Sequence, residues 1–238
     1  MNNNENCVVF ITNIKSEFAQ VLLSKLSARG WQIFVGISGS TIEYSDREKY
    51  FDNNLFLVEF DSNSQISIKK AVDLIYQRAK KIDLYIDTSS LEWNKNNETL
   101  RDIVNTSKIL QEFKLRAIAP LRTIIGFLDL IRMSEKKRIC FITSTVASIN
   151  QSTNKTDFGF CMSLAALHKS LYIMRNALKN QNFSFRLLGY DNQKKGTSLE
   201  QSVENCIGYF CRDRGVAEGI NDEENFILRD QFGSVVPW

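Results

Sequence analysis

The stretch "CVVFITNIKSEFAQVLLSKLSARGWQIFVGIS" covers residues 7–38. It opens on an apolar, β-branched run (7–12), the composition of a strand buried on both faces. After a short polar turn, apolar residues recur at helical spacing over 16–30. Gly30 closes that helix, because glycine takes the left-handed backbone at the residue past a helix end at little cost. "WQIFVGIS" (31–38) then reads as a second strand. Two buried strands joined through a helix run parallel, since a hairpin cannot connect them.

The same unit recurs along the chain. "LFLVEFD" (55–61), "IDLYIDTS" (82–89), "KRICFITS" (137–144), "FSFRLLGY" (183–190) and a run near 225–230 read as strands. Helical periodicity covers 65–81, 99–133, 158–181 and 197–213, with a bend in the second of these near Pro120. Alternation of this kind predicts an α/β fold: one Rossmann-like, doubly wound parallel sheet in a three-layer α/β/α sandwich. Crossovers are right-handed. Six or seven strands and a single domain over 1–238 are expected.

Composition narrows the function classes. The 238 residues are 43% hydrophobic and 24% charged, as in ordinary globular domains, and 2 Pro and 11 Gly leave little room for linkers. A formal net charge of +3 reads as a solvated surface, so a nucleic-acid partner is not expected. The N-terminus lacks a basic segment followed by a long apolar run, and no apolar run reaches the ~20 residues that span a bilayer. No membrane partner is expected, and a cytoplasmic location is. The five cysteines, Cys7, Cys140, Cys161, Cys206 and Cys211, are irregularly spaced with no C-x-x-C pair. They read as thiols in a reducing compartment, with neither a disulfide frame nor a metal site.

In an open parallel sheet, ligands bind beyond the carboxyl ends of the strands, where strand order reverses. That rule selects the turn after the first strand (12–19), the ends of the second and third strands (38–40, 61–63), and the ends of the fourth and fifth (87–90, 143–148). At these places the chain resembles the short-chain dehydrogenase/reductase family. The family's T-G-x-x-x-G-x-G turn corresponds to Thr12-Asn13-Ile14-Lys15-Ser16-Glu17-Phe18-Ala19. Its acidic residue after the third strand corresponds to Asp61, followed by Ser62, and its N-N-A-G segment to Asp87-Thr88-Ser89-Ser90. Its catalytic serine corresponds to Ser144 in "CFITSTVAS", and its Y-x-x-x-K helix to "FCMSLAAL" (160–167).

The resemblance implies an NAD(P) crevice contacted by Thr12, Asn13, Ile14, Lys15, Ser38, Asp61, Ser62 and Thr88. It also implies a reacting centre with Ser144 as the one matching catalytic residue. The other three motif positions hold Phe160 for Tyr, Leu164 for Lys and Arg116 for Asn. A Tyr delivers the proton in such chemistry and a nearby Lys lowers its pKa. Phe160 has no proton and Leu164 no charge. His168, the only histidine, sits one turn beyond Leu164 on the same stripe and reads as a core residue.

The glycine turn departs from the pattern too. Asn13 tolerates left-handed backbone better than most residues. Glu17 suits the positive end of a helix but repels a phosphate there, while Ser16 can cap the same helix. Lys15 partly offsets Glu17. Ser38-Gly39-Ser40 offers neither an acid for a ribose hydroxyl nor an Arg for a 2′-phosphate. Asp61 reads equally well as a strand-end turn residue.

The expected function is therefore that of a non-catalytic relative of this family, a pseudoenzyme acting as a ligand- or partner-binding or structural subunit. The alternative is an NAD(P)-dependent oxidoreductase with an atypical active site. Weakened NAD(P) binding is implied by Glu17 and the lost glycines. The resemblance also implies a homo-oligomer, a dimer or tetramer built on the two long helices, or pairing with an active relative.

Overall fold

The computed structural model describes residues 7–38, 54–91, 99, 105–191, 196–213, 222 and 224–238. In chain order they form β1 (Val8–Ile11), α1 (Glu17–Ser27), β2 (Gln32–Ile37), β3 (Leu55–Glu59), α2 (Gln65–Ala79), β4 (Leu84–Asp87), α3 (Thr106–Phe113), α4 (Ala119–Arg132), β5 (Arg138–Thr143), α5 (Phe158–Leu178), β6 (Ser184–Gly189), α6 (Leu199–Cys211), β7 (Leu228–Asp230) and β8 (Val235–Val236).

The strands make one sheet of order β3-β2-β1-β4-β5-β6-β7-β8. All pairings are parallel except β7 with β8, which run antiparallel through Leu228↔Val236 and Arg229↔Val235. The expected doubly wound sheet is thus present, with eight strands where six or seven are expected. Two residues after a turn at Gly233 (φ +88°) are too few to carry a periodic signal. Strand order reverses between β1 and β4, which sets the ligand crevice there.

Two cores sandwich the sheet. On one face Phe10, Phe34, Tyr85 and Phe141 pack with Ile75 of α2, Phe127 of α4 and Leu167 of α5. On the other Val9, Ile11, Ile33 and Cys140 pack with Leu22 of α1 and Phe210 of α6. Alternate residues of β1 serve opposite cores, which is why its apolar run is continuous. At Gly36 a Cβ would lie 2.3 Å from the Thr12 carbonyl, so the close approach of β2 to the end of β1 requires glycine.

The bend near Pro120 takes a specific form. α3 and α4 are joined by a π-helical turn, Lys114–Ile118, and Pro120 stands at the start of α4. Proline lacks an N–H and its ring crowds the carbonyl four residues back, here that of Arg116. The wider π-turn falls on that residue and turns Arg116 inward, where it is buried.

Candidate functional site

The β1–α1 turn is held without glycine. Asn13 does not take left-handed backbone. Its Oδ1 accepts the Lys15 N–H at 3.3 Å, so a side chain closes the turn instead. Thr88 clips the turn from the neighbouring strand: its hydroxyl donates to the Asn13 carbonyl (2.7 Å) and accepts the Asn13 N–H (3.2 Å), and its N–H donates to Thr12 Oγ1 (3.0 Å). Ser16 caps α1, accepting the Ala19 N–H at 3.2 Å, as its sequence position suggests.

Beyond these strand ends lies an open crevice of about 400 Å³. Thr12, Asn13, Lys15, Ser38, Asp61 and Ser62 line it, together with Asp87 and Ser89. Ile14 does not; it is buried in the core with Ile11 and Phe18, so only its main chain could meet a ligand there. Thr88 is wholly buried in its clip. Gly39 and Ser40 lie outside the described residues. The third wall, Lys108, Gln111, Glu112, Leu115 and Arg116, comes from α3 and the π-turn. Sequence reasoning reached only Arg116 of these. The Glu112–Arg116 spacing, i to i+4, was the available signal for Glu112.

Asp87 stands at the crevice mouth of β4. Its Oδ1 accepts from the Ser89 N–H (2.9 Å) and hydroxyl (2.5 Å), and its Oδ2 from the Tyr85 hydroxyl (3.2 Å). Burial pushes its carboxyl up, and these donors pull it partly back. Asp61 accepts the Asn63 N–H at 2.8 Å through Oδ1, so the turn role and the crevice position coincide in one residue.

The α5 residues that the sequence resemblance matches to the family motif sit deeper. Phe160 is 4% exposed and Leu164 0%, both within the core that holds Phe127 and Phe141. The Arg116 guanidinium lies 4.7 Å over the Phe160 ring. It also donates to Glu112 Oε2 (2.5 Å) and to the Ser89 carbonyl (3.3 Å). Ser144, 7% exposed, caps a short turn by accepting the Val146 N–H at 3.4 Å. His168 is buried, with Nε2 2.9 Å from the Thr143 hydroxyl and its ring edge-on to Trp238. Burial lowers its pKa to about 4. Burial likewise raises the Cys161 thiol. All five cysteines are free, and no helix among the described residues is long and apolar enough to cross a membrane.

No family model matches the sequence, and no curated protein matches it. Solved structures match nearly end to end. A Burkholderia multivorans protein described as a short-chain alcohol dehydrogenase aligns over 98% of this chain and 100% of its own at 13% identity, TM-score 0.79. The carbonyl reductase Sniffer of D. melanogaster aligns over 98% and 99% at 14% identity, TM-score 0.76. A carbonyl reductase from Pseudomonas aeruginosa PAO1, in complex with NADP, aligns over 98% and 100% at 18% identity, TM-score 0.72. At such identities the likeness is one of fold: this chain has the fold of the short-chain dehydrogenases/reductases, the family its motif order resembles.

Proposed function

We propose that this chain is a non-catalytic, ligand-binding protein built on that oxidoreductase fold. The observation that carries the reading is the Phe160 ring, buried beneath the Arg116 guanidinium, at the position where the family resemblance puts a tyrosine. Reducing a carbonyl requires a proton donor within hydrogen-bond reach of the oxygen that becomes a hydroxyl. Phe160 and Leu164 supply none. His168 is neutral, buried and bonded to Thr143. The Ser144 hydroxyl can orient a carbonyl but is a poor acid. The crevice, by contrast, is open and lined by charged and hydroxyl groups, as a binding site is.

A second reading, an NAD(P)-dependent oxidoreductase with an atypical active site, is favoured by the carbonyl reductases that share the fold, one of them holding NADP. Stopped-flow and steady-state assays with NADH and NADPH over a panel of aldehydes and ketones separate the two. The binding reading expects no turnover. Turnover that Ser144→Ala abolishes would establish the second.

The same reading includes self-association. Leu110 of α3, Ile125 of α4 and Met133 at its C-cap, and Met162, Tyr172 and Ile173 of α5 are large apolar side chains exposed on the two long helical segments. A second copy of this chain, or an active relative of the same fold, would cover them. The five free thiols suit a reducing, cytoplasmic setting.

A further inference from the structure

α2 and α4 lie side by side on one face of the sheet and touch where α4 carries a glycine. A Cβ on Gly126 would run into the Ile68 side chain, so the two helices are in contact there. Above that contact they part into a groove of about 490 Å³ that shares no residue with the crevice. Its walls are aliphatic: Ile68 and Val72 of α2, Ile118 of the π-turn, and Leu121 and Ile125 of α4. Ile118 and Ile125 are exposed, although isoleucine is among the residue types most often buried.

The charges on the groove are unbalanced at one end. Lys69 and Asp73 pair at 2.8 Å along α2 and cancel, and Gln65 is neutral. That leaves Arg122. Its Nη1 donates to the Asn63 carbonyl at 3.0 Å, and among the described residues no carboxylate pairs with it. Asn63 directly precedes Ser64, the N-cap of α2, so this guanidinium stands at the end of the groove where α2 begins. No acidic residue occupies the first turn of α2, and the positive end of its dipole adds to the same charge.

Shape narrows the class of occupant. The stretch from Ile118 to Ile125 rises about 10 Å, room for a chain of medium length. A helix of another protein is about 10–12 Å across and cannot enter between two helices already in contact at Gly126. No aromatic ring lines the groove among the described residues, so nothing stacks a base or a sugar. A cation at one end of an aliphatic trough complements an anionic head on an unbranched chain.

We propose that the α2–α4 groove binds a medium- to long-chain fatty acid, with its carboxylate on Arg122 and its methylenes along Ile118, Leu121 and Ile125. This goes beyond the reading of the crevice and does not depend on it. Ile125 also belongs to the face assigned above to a second copy of the chain, so the two occupants compete for that side chain.

Calorimetric titration of the full chain with octanoate, decanoate and dodecanoate, and with dodecylammonium as the cationic counterpart, tests it. Dodecanoate should bind with a Kd on the order of tens of micromolar, the value for about eight buried methylenes. Each pair of methylenes removed should weaken binding about tenfold, and dodecylammonium should bind about tenfold more weakly than dodecanoate. Arg122→Gln should weaken dodecanoate about tenfold and remove its advantage over dodecylammonium. Ile118→Gln, at an exposed position, should weaken dodecanoate about fivefold. No dodecanoate binding at millimolar concentration, equal binding of the two head groups by the parent, or dodecanoate binding that neither substitution changes would overturn the site. A dodecanoate Kd that rises with protein concentration would overturn it too, because a second copy would then be the occupant of the groove.

Discussion

The guanidinium of Arg116 lies 4.7 Å over the ring of Phe160, so two residues that the sequence resemblance matches to family motif positions touch each other. The contact has a traceable cause. Pro120 crowds the carbonyl of Arg116, the helix widens to a π-turn there, and the side chain swings inward. A long cation then finds Glu112 one turn back and an aromatic face on α5. Burial of this guanidinium is stabilising only because its charge and its donors are matched.

Arg116→Ala should therefore cost about 1–3 kcal/mol, since it strands a partly buried carboxylate and removes a cation–π contact. Arg116→Lys should recover less than half of the loss, because an ammonium cannot serve the carboxylate, the carbonyl and the ring face together. Urea denaturation curves of the three proteins give both differences. Equal stability of the alanine variant and the parent would show that the contact is incidental.

Writing the family's Tyr and Lys into α5 should not produce carbonyl chemistry. Phe160→Tyr keeps the ring volume and should be tolerated. Leu164→Lys places an ammonium where the leucine is wholly buried, at a cost of about 3 kcal/mol or more at neutral pH. A buried Lys has its folded pKa below its unfolded value, so the penalty is full at low pH and shrinks as pH rises toward about 10. Thermal melts of the double variant between pH 6 and 9 should climb relative to the parent, with no NADPH oxidation on aldehydes. Robust turnover by that variant would mean that its Tyr and Lys reach a substrate pocket, against the packing described above.

His168 should tie stability to mildly acid pH. Its folded pKa is lowered to about 4 from 6.5, so the folded protein holds it neutral while the unfolded chain takes up a proton. The contribution is intact above pH 6.5 and is lost as pH falls from about 6.5 toward about 4, on the order of 3 kcal/mol in all. His168→Gln can keep a partner for the Thr143 hydroxyl and cannot titrate. The stability difference between parent and variant, from urea midpoints at pH 7, 6, 5 and 4.5, should shift in the variant's favour as pH falls. A constant difference would show that the ring is protonated without penalty.

Self-association has a direct readout. Ile173→Glu on α5 puts a charge into the exposed apolar face that a partner would cover, while leaving the core side of the helix alone. Light scattering behind size exclusion should give a dimer or larger for the parent and a monomer for the variant. A monomeric parent would refute the proposed interface.

Strand–helix alternation and the positions of the crevice turns were legible because burial on two faces leaves continuous apolar runs, as in β1 and β5. Asn13 and Thr88 were legible as site positions but not in their roles. Asn13 closes its turn by a side-chain hydrogen bond rather than by left-handed backbone, and Thr88 spends its hydroxyl on that turn. The Asn13 bond is local, to Lys15, and replaces a glycine that the motif led one to seek, whereas the Thr88 clip joins residues 75 positions apart. Lys108, Gln111 and Leu115 could not be reached, because the π-turn that brings their segment to the crevice breaks the 3.6-residue period on which sequence reading depends.

A last prediction concerns the far edge of the sheet. Asp222, 1% exposed at its side chain, meets Arg186 of β6 (3.2 Å), Arg212 at the end of α6 (3.1 Å) and Arg229 of β7 (2.7 Å). The three guanidiniums also surround the Tyr209 ring at 5.3–5.8 Å. Burial alone would raise the Asp222 carboxyl, but the hydrogen bond and charge of Arg229, then the charge of Arg186, outweigh it and hold the group below its usual value. A folded pKa below the unfolded one gives stability that is present at neutral pH and lost as pH falls through the folded value. Asp222→Asn removes the charge that gathers three strand and helix ends, so about 3 kcal/mol or more should be lost. β7 and β8, the short edge strands tied by this cluster, should lose protection first. Hydrogen exchange by mass spectrometry should show faster exchange over 228–236 in the variant, with β1 and β4 unchanged. Uniform acceleration across the sheet would mean that the cluster supports the whole domain instead of its edge.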